Sequence, residues 1–308
     1  MLACANCALG EYDVDPGCPA YVAFSAAKRD AGPRLDWIGA YRTLGLRHLQ
    51  HRAPVVRILA AHLATADLDQ TGPALLAQLQ RDAEPKVAVA LLQLLDRPDA
   101  PWRPALQSWA RQALAGSVEQ NVKVTAMAVL DLPADVTVLL ARLADPQEVV
   151  QATACQALYK VMPATIAASE GVPLRRRDAP ELVTAACLEG AAWAWCADKD
   201  PDHAAQSALL REFAATPRTQ QRPPWRAIAA LHCPERAVKS PMPPLLVALR
   251  AVVDDRNVGG FARAEAVRTL VVLGAPAAWR AQWRKSYANA EFGADGMVKR
   301  ALAAIEKR

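Results

Sequence analysis

Apolar residues recur along this chain with a helical period, in short runs broken by polar or proline-bearing turns. Leu75 to Leu79 read as an apolar helix, Arg81 to Pro85 break it, and Lys86 to Leu95 resume it. Val136 to Leu143 do the same and stop at Asp145-Pro146. At that break Asp145 is expected to cap, Pro146 to take the first helical position, and Glu148 to complete a capping box. Ser117 to Gln120 repeat that cap pattern ahead of Val122. Leu245 to Val253 precede an Asp254-Asp255 break and a helix carrying Ala262.

A finer pattern runs through these helices. An aliphatic residue, often followed by a basic one, is succeeded four and five positions on by a small or apolar pair. The successive anchors are Val56, Val87, Val122, Val150, Leu182, Trp225, Ala262 and Val298, at steps of 31, 35, 28, 32, 43, 37 and 36 residues. The mean step of about 35 residues is the length of one helical hairpin in repeat proteins. Most matches fall in the second helix of a pair. One such hairpin cannot bury its apolar face alone, whereas stacked hairpins form a continuous core.

Composition agrees. The chain has 308 residues, of which 53% are hydrophobic, 22% charged and only 6% aromatic. Few glycines and many alanines favour helix, and a sheet would call for more β-branched and aromatic residues. The net charge of +5 is too small, and the hydrophobic fraction too large, for a disordered chain. No apolar run is long enough to span a bilayer, because Arg250, Asp131 and Glu189 interrupt the best candidates.

On these features the chain resembles the short bacterial HEAT-type repeat proteins over residues 33–308. The resemblance rests on the paired-helix rhythm, on Asp145-Pro146 within a turn, and on Arg57, Lys123, Arg226, Arg263 and Lys299 at the second-helix position. It implies an all-α fold, a right-handed α-solenoid of about eight HEAT-like hairpins. Ala88, Gln151 and Val183 replace the basic residue, and the 43-residue step from Leu182 to Trp225 implies an irregular repeat. The repeated Arg or Lys is expected to bond loop carbonyls or turn Asp side chains, with a ligand-facing ladder as the alternative.

Residues 1–32 stand outside the rhythm as a leader with loop chemistry and a short helix near Tyr21 to Lys28. They carry Cys4, Cys7 and Cys18. Cys4 and Cys7 have the spacing of half a zinc knuckle, but Cys18 is alone and His48 or His51 would have to supply the fourth ligand. Ala8 stands where a c-type haem motif needs His. Met1-Leu2-Ala3-Cys4 resembles the end of a lipobox without the charged and apolar regions that precede one. As written, the chain is expected in the cytoplasm. With a start upstream of Met1 it is an exported lipoprotein, lipidated at Cys4, with Cys7 paired to Cys18. Cys155, Cys187, Cys196 and Cys233 lie in apolar helices, where a buried, inert thiol is the default.

The acidic clusters Glu11 to Asp15 and Asp198 to His203 echo calcium loops but lack the glycine and distal Glu, so solvated loops are expected. Trp102, Leu106, Trp109 and Ala113 share one helix face, and Trp37, Tyr41 and Leu44 another; both are expected in the core. Trp193 and Trp195 cannot both face inward. Trp279, Trp283 and Tyr287 form a stripe beside Arg280 and Arg284, which either caps the last repeat or meets a partner. Arg175, Arg176 and Arg177 form a basic run, either a solvated loop or a phosphate contact.

No catalytic constellation or cofactor motif is readable. The expected function is a noncatalytic scaffold that binds a protein or peptide through its concave surface. The alternative is a nucleic-acid-binding protein or a DNA base-excision enzyme of the HEAT-like glycosylase kind, with a HEAT-like chromophore lyase behind it. These enzyme readings rest on fold analogy alone. Nucleic acid is disfavoured because the basic residues are scattered.

Overall fold

The computed structural model describes residues 37–169, 174, 179–215, 225–233 and 243–306. Among them every regular element is helical and none is a strand. The leader, with Cys4, Cys7, Cys18 and the Tyr21 to Lys28 helix, lies outside the described residues, and so does Arg175 to Arg177. The chain divides into two compact units, at Asp131 and Leu132, a division the sequence reading did not draw.

The first unit holds α1 (Trp37–His48), α2 (Pro54–Ala64), α3 (Leu68–Arg81), α4 (Pro85–Leu95), α5 (Arg103–Ala115) and α6 (Gln120–Ala128). Three begin with Pro in the first turn, where its missing N–H costs nothing. Helices pair as α1 with α2, α3 with α4 and α5 with α6, while α2 packs on α4 and α4 on α6. The second helix of each pair therefore stacks on the next. Its contact residues are the pairs singled out in the sequence: Ala60 and Ala61, Leu91 and Leu92, Ala126 and Met127, all buried. Each fully buried leucine contributes roughly 1.5–3 kcal/mol. Trp102 closes the α3–α5 side: its indole N–H donates to the Leu95 carbonyl at 3.1 Å. The ring lies where a Cβ on Gly72 would approach it to 2.3 Å. Trp102, Leu106 and Ala113 are buried as expected, whereas Trp109 is half-exposed.

The second unit continues with α7 (Val136–Arg142), α8 (Glu148–Val161), α9 (Pro163–Ala168), α10 (Glu181–Cys196), α11 (Ala204–Ala215), α12 (Trp225–Ala229), α13 (Pro243–Asp254), α14 (Gly260–Val272), α15 (Ala277–Ser286) and α16 (Gly293–Glu306). Here α8, α10, α12, α14 and α16 follow one another in contact, with α7, α11, α13 and α15 beside them.

The cysteines depart from the sequence expectation. Cys155 and Cys187 form a disulfide, and so do Cys196 and Cys233; none of the four is a free thiol. Cys155 and Cys187 are both fully buried. The physical reason is the close packing of α8 on α10. The two cysteines sit at the same position of successive second helices, 32 residues apart, with Cα atoms only 4.9 Å from each other. Small residues permit that approach. A Cβ on Gly190 would come within 2.3 Å of the Gln156 carbonyl oxygen.

Three polar side chains at helix starts depart from the expected pattern. α8 starts at Glu148, and Asp145 accepts from the Gln147 amide at 3.1 Å, so it closes the turn before the helix rather than capping it. Ahead of α6 the cap is Glu119, which accepts from the Asn121 amide. Asp200 is not a solvated loop carboxylate. It is 3% exposed and accepts from the Ala205 and Gln206 amides, both at 2.9 Å, satisfying the free donors that open α11.

Candidate functional site

The basic residues of the recurring pattern are mostly engaged within the chain. Arg57 of α2 makes a bidentate pair with Asp82, Nε to Oδ2 at 2.6 Å and Nη2 to Oδ1 at 2.9 Å. Its Nη1 donates to the His51 and Arg52 carbonyls. Asp82 also accepts from Gln78 and from the Glu84 amide. Burial pushes the Asp82 carboxyl up, but hydrogen bonds from Arg57, Glu84 and Gln78 outweigh it, and the group sits below its ordinary value.

Arg263 of α14 repeats this scheme with no solvent exposure. It donates to the Val253 carbonyl at 3.2 Å, Asp295 at 2.7 Å and the Tyr287 hydroxyl at 2.7 Å. Tyr287 in turn donates to Val253 O. Gln151, lacking the charge, still donates to the Asp145 carbonyl at 2.5 Å, and Lys299 donates to the Ala288 carbonyl at 2.6 Å. Gln151 and Lys299 bond the turn before their own helix, while Arg57 and Arg263 also reach Asp82 and Asp295 of the next helix pair. Arg226 departs from the series: it is exposed and stacks on Trp225, its guanidinium carbon 5.7 Å from the ring centroid.

The sequence candidates on α15 separate by burial. Trp283 is 1% exposed and donates its indole N–H to Asp254 at 2.7 Å, and Tyr287 is 3% exposed. Both pack inside the chain. Trp279 is half-exposed, edge-to-face with Trp283, and carries the Arg250 guanidinium 4.7 Å above its ring. Arg280 is half-exposed, while exposed Arg284 borders a shallow recess with Tyr287, Lys299 and Leu302.

Two further tryptophans, on α10 and α12 of the second unit, stand exposed. Trp195 points inward and is 2% exposed, whereas Trp193, two residues earlier on α10, is 46% exposed. Lys160 reaches over the Trp193 ring from the neighbouring α8, its ammonium 5.5 Å from the centroid. On α12, Trp225 is 51% exposed beneath Arg226. The recurring pattern anchors on Trp225 and expects contact at Ala229 and Ala230, which are half-buried. The structure shifts the register, and Ala227, Ile228 and Leu231 are buried instead.

Beyond α12, His232 Nε2 stands 3.1 Å from Glu265 of α14, which also pairs with Arg268 at 2.7 Å. Burial lowers the His232 pKa below the usual imidazole value; Glu265 opposes this and Arg268 adds to it. The packed helices α10 and α12 thus each carry an exposed indole under a cation. Aromatic faces under Lys or Arg are cation–π pairs that also supply broad, low-entropy contact area. That one of Trp193 and Trp195 is exposed was legible from the impossibility of burying two near-adjacent indoles, but which one was not. Trp225 was not, because a loose alanine-rich motif fixes register poorly.

No group of three or more candidate metal ligands exists among the described residues. His48 and His51 stand 6.4 Å apart between ring centroids. The His48 imidazole is held below its usual pKa by burial, then by Arg47 and His51. No described helix is long and apolar enough to cross a membrane. In comparisons with known proteins, no family model matches the chain, and no curated protein or solved structure does so.

Proposed function

We propose that this chain is a noncatalytic HEAT-like scaffold that docks a peptide or protein segment along the exposed face of α8, α10 and α12. The observation that carries this reading is the pair of half-exposed tryptophans on packed neighbouring helices, each beneath a cation. Such a face suits an extended segment that offers apolar or proline side chains to the indoles and carboxylates to Lys160 and Arg226. The noncatalytic part is supported by how the polar clusters are used: Arg57–Asp82, Arg263–Tyr287–Asp295 and Asp200 all spend their donors and acceptors on turns. The two disulfides favour an oxidising compartment over the cytoplasm, where thiols are kept reduced.

The test is selection of a displayed peptide library on the full chain, followed by binding measurements on Trp193→Ala, Trp225→Ala and the double variant. Selected peptides are expected to be acidic with aromatic or proline positions, and to lose at least ten-fold in affinity against the double variant. Equal affinity for wild type and double variant, with unchanged circular dichroism, would place docking elsewhere.

A further inference from the structure

Both disulfides end on α10, yet they differ in setting. Cys155–Cys187 joins α8 to the middle of α10, fully buried in a small-residue contact. Cys196–Cys233 joins the last residue of α10 to the segment just after α12, and both of its cysteines are only half-buried. Thiol–disulfide exchange needs an in-line approach by a thiolate, so access decides which bridge reacts in the folded state.

The five described residues of α12 are too few to hold a helical turn without outside contacts. Its anchors are buried Ala227, Ile228 and Leu231, the hydrogen bond from Thr269 to the Ile228 carbonyl at 3.0 Å, and the Cys233 bridge. The bridge is the covalent one, and it ties α12, with Trp225, to α10, with Trp193.

We propose that Cys196–Cys233 is a redox-addressable clasp on the docking face, while Cys155–Cys187 is an inert staple formed during folding. The reactant is a dithiol, whether a small molecule or a Cys-x-x-Cys protein. One of its thiolates attacks a sulfur of the clasp, breaking the S–S bond and giving a mixed disulfide and one protein thiolate. Its second thiolate then displaces the other protein sulfur. The dithiol loses two electrons and two protons and closes as a disulfide, and Cys196 and Cys233 gain them as two thiols. An oxidising disulfide runs the same steps backwards. Opening the clasp releases the C-terminal end of α12 and with it the spacing between the two indoles. That last consequence rests on the docking reading above; the order of reduction does not.

The experiment uses the full chain, oxidised with glutathione disulfide, treated natively with dithiothreitol, alkylated at intervals and mapped by peptide mass. Cys196 and Cys233 are expected to become alkylated at least ten-fold faster than Cys155 and Cys187, which should label only after denaturant is added. Equal rates, the reverse order, or alkylation of all four before reductant would overturn the proposal. A Cys196→Ser/Cys233→Ser variant should leave the inner pair protected; should it not fold, the wild-type rates still decide. With a selected peptide as probe, reduction of the clasp alone should raise Kd at least five-fold. An unchanged Kd with the expected labelling order would overturn the coupling to docking, while loss of binding in Trp193→Ala continues to test the docking face separately.

Discussion

At the scale of single residues, the most informative pair is Arg57 and Asp82. Its carboxylate is almost enclosed, with a side chain 4% exposed, and four donors converge on it. Because its folded pKa is depressed, the stabilisation is present above the ordinary aspartate range and lost as pH falls through the lower folded-state value. Asp82→Asn is expected to destabilise the first unit by about 1.5–3 kcal/mol at neutral pH, the usual worth of hydrogen bonds to a charged group. It should also flatten the acid limb of the stability profile, which denaturant melts between pH 3 and 7 would show. Gly190 is the second such residue. A methyl group there meets the Gln156 carbonyl, which is backbone and cannot swing aside. Gly190→Ala should therefore cost about 1–3 kcal/mol by overpacking. A neutral substitution, read by the same melts, would show that α8 and α10 part more easily than their contact suggests.

At the scale of elements, Arg263 shows how a polar residue can be a packing residue. It lies unexposed among α13, α14, α15 and α16, and each of its groups meets an acceptor. Arg263→Ala removes one donor each from Asp295, which keeps Arg256, from Tyr287, and from the Val253 carbonyl, which keeps the Tyr287 hydroxyl. It is expected to cost about 1.5–3 kcal/mol, the usual worth of hydrogen bonds to a charged group. Chemical denaturation checks the magnitude, and hydrogen exchange should place the loss in α14 to α16. The helices themselves were legible because Asp and Pro punctuate them: the breaks at Arg81–Pro85, Asp145-Pro146 and Asp254-Asp255 all separate helices in the structure. The basic ladder was legible too, since Arg57, Arg263 and Lys299 bond turns as their positions implied. Register inside α12 was not, because five residues carry too little periodicity to fix a face. The disulfides were missed for a different reason. Local apolar context alone marks each cysteine as a buried thiol, whereas the 32-residue separation of Cys155 and Cys187 matches one step of the helical rhythm, and stacking brings such positions side by side.

At the scale of the whole molecule, the division at Asp131 and Leu132 gives each unit a core of its own, and both described disulfides fall in the second. In the chain-entropy account, a bridge stabilises by restricting the unfolded chain, and the effect grows slowly with the enclosed loop. Separations of 32 and 37 residues correspond to roughly 3–4 kcal/mol for each bridge. A cytoplasmic form with four thiols would forgo that contribution and keep two of them in a fully buried contact. The second unit is therefore expected to depend on these two bonds, and the described helices of the first not to. Cys155→Ala/Cys187→Ala tests this without added reductant, which would also act on the cysteines of the leader. Hydrogen exchange followed by mass spectrometry should show protection falling across α8, α10 and α12, with α2, α4 and α6 unchanged. Uniform loss across both units would mean that the chain unfolds as one cooperative body. Unchanged protection everywhere would mean that the small-residue contact between α8 and α10, closed by Gly190 against Gln156, holds those helices together without the bond.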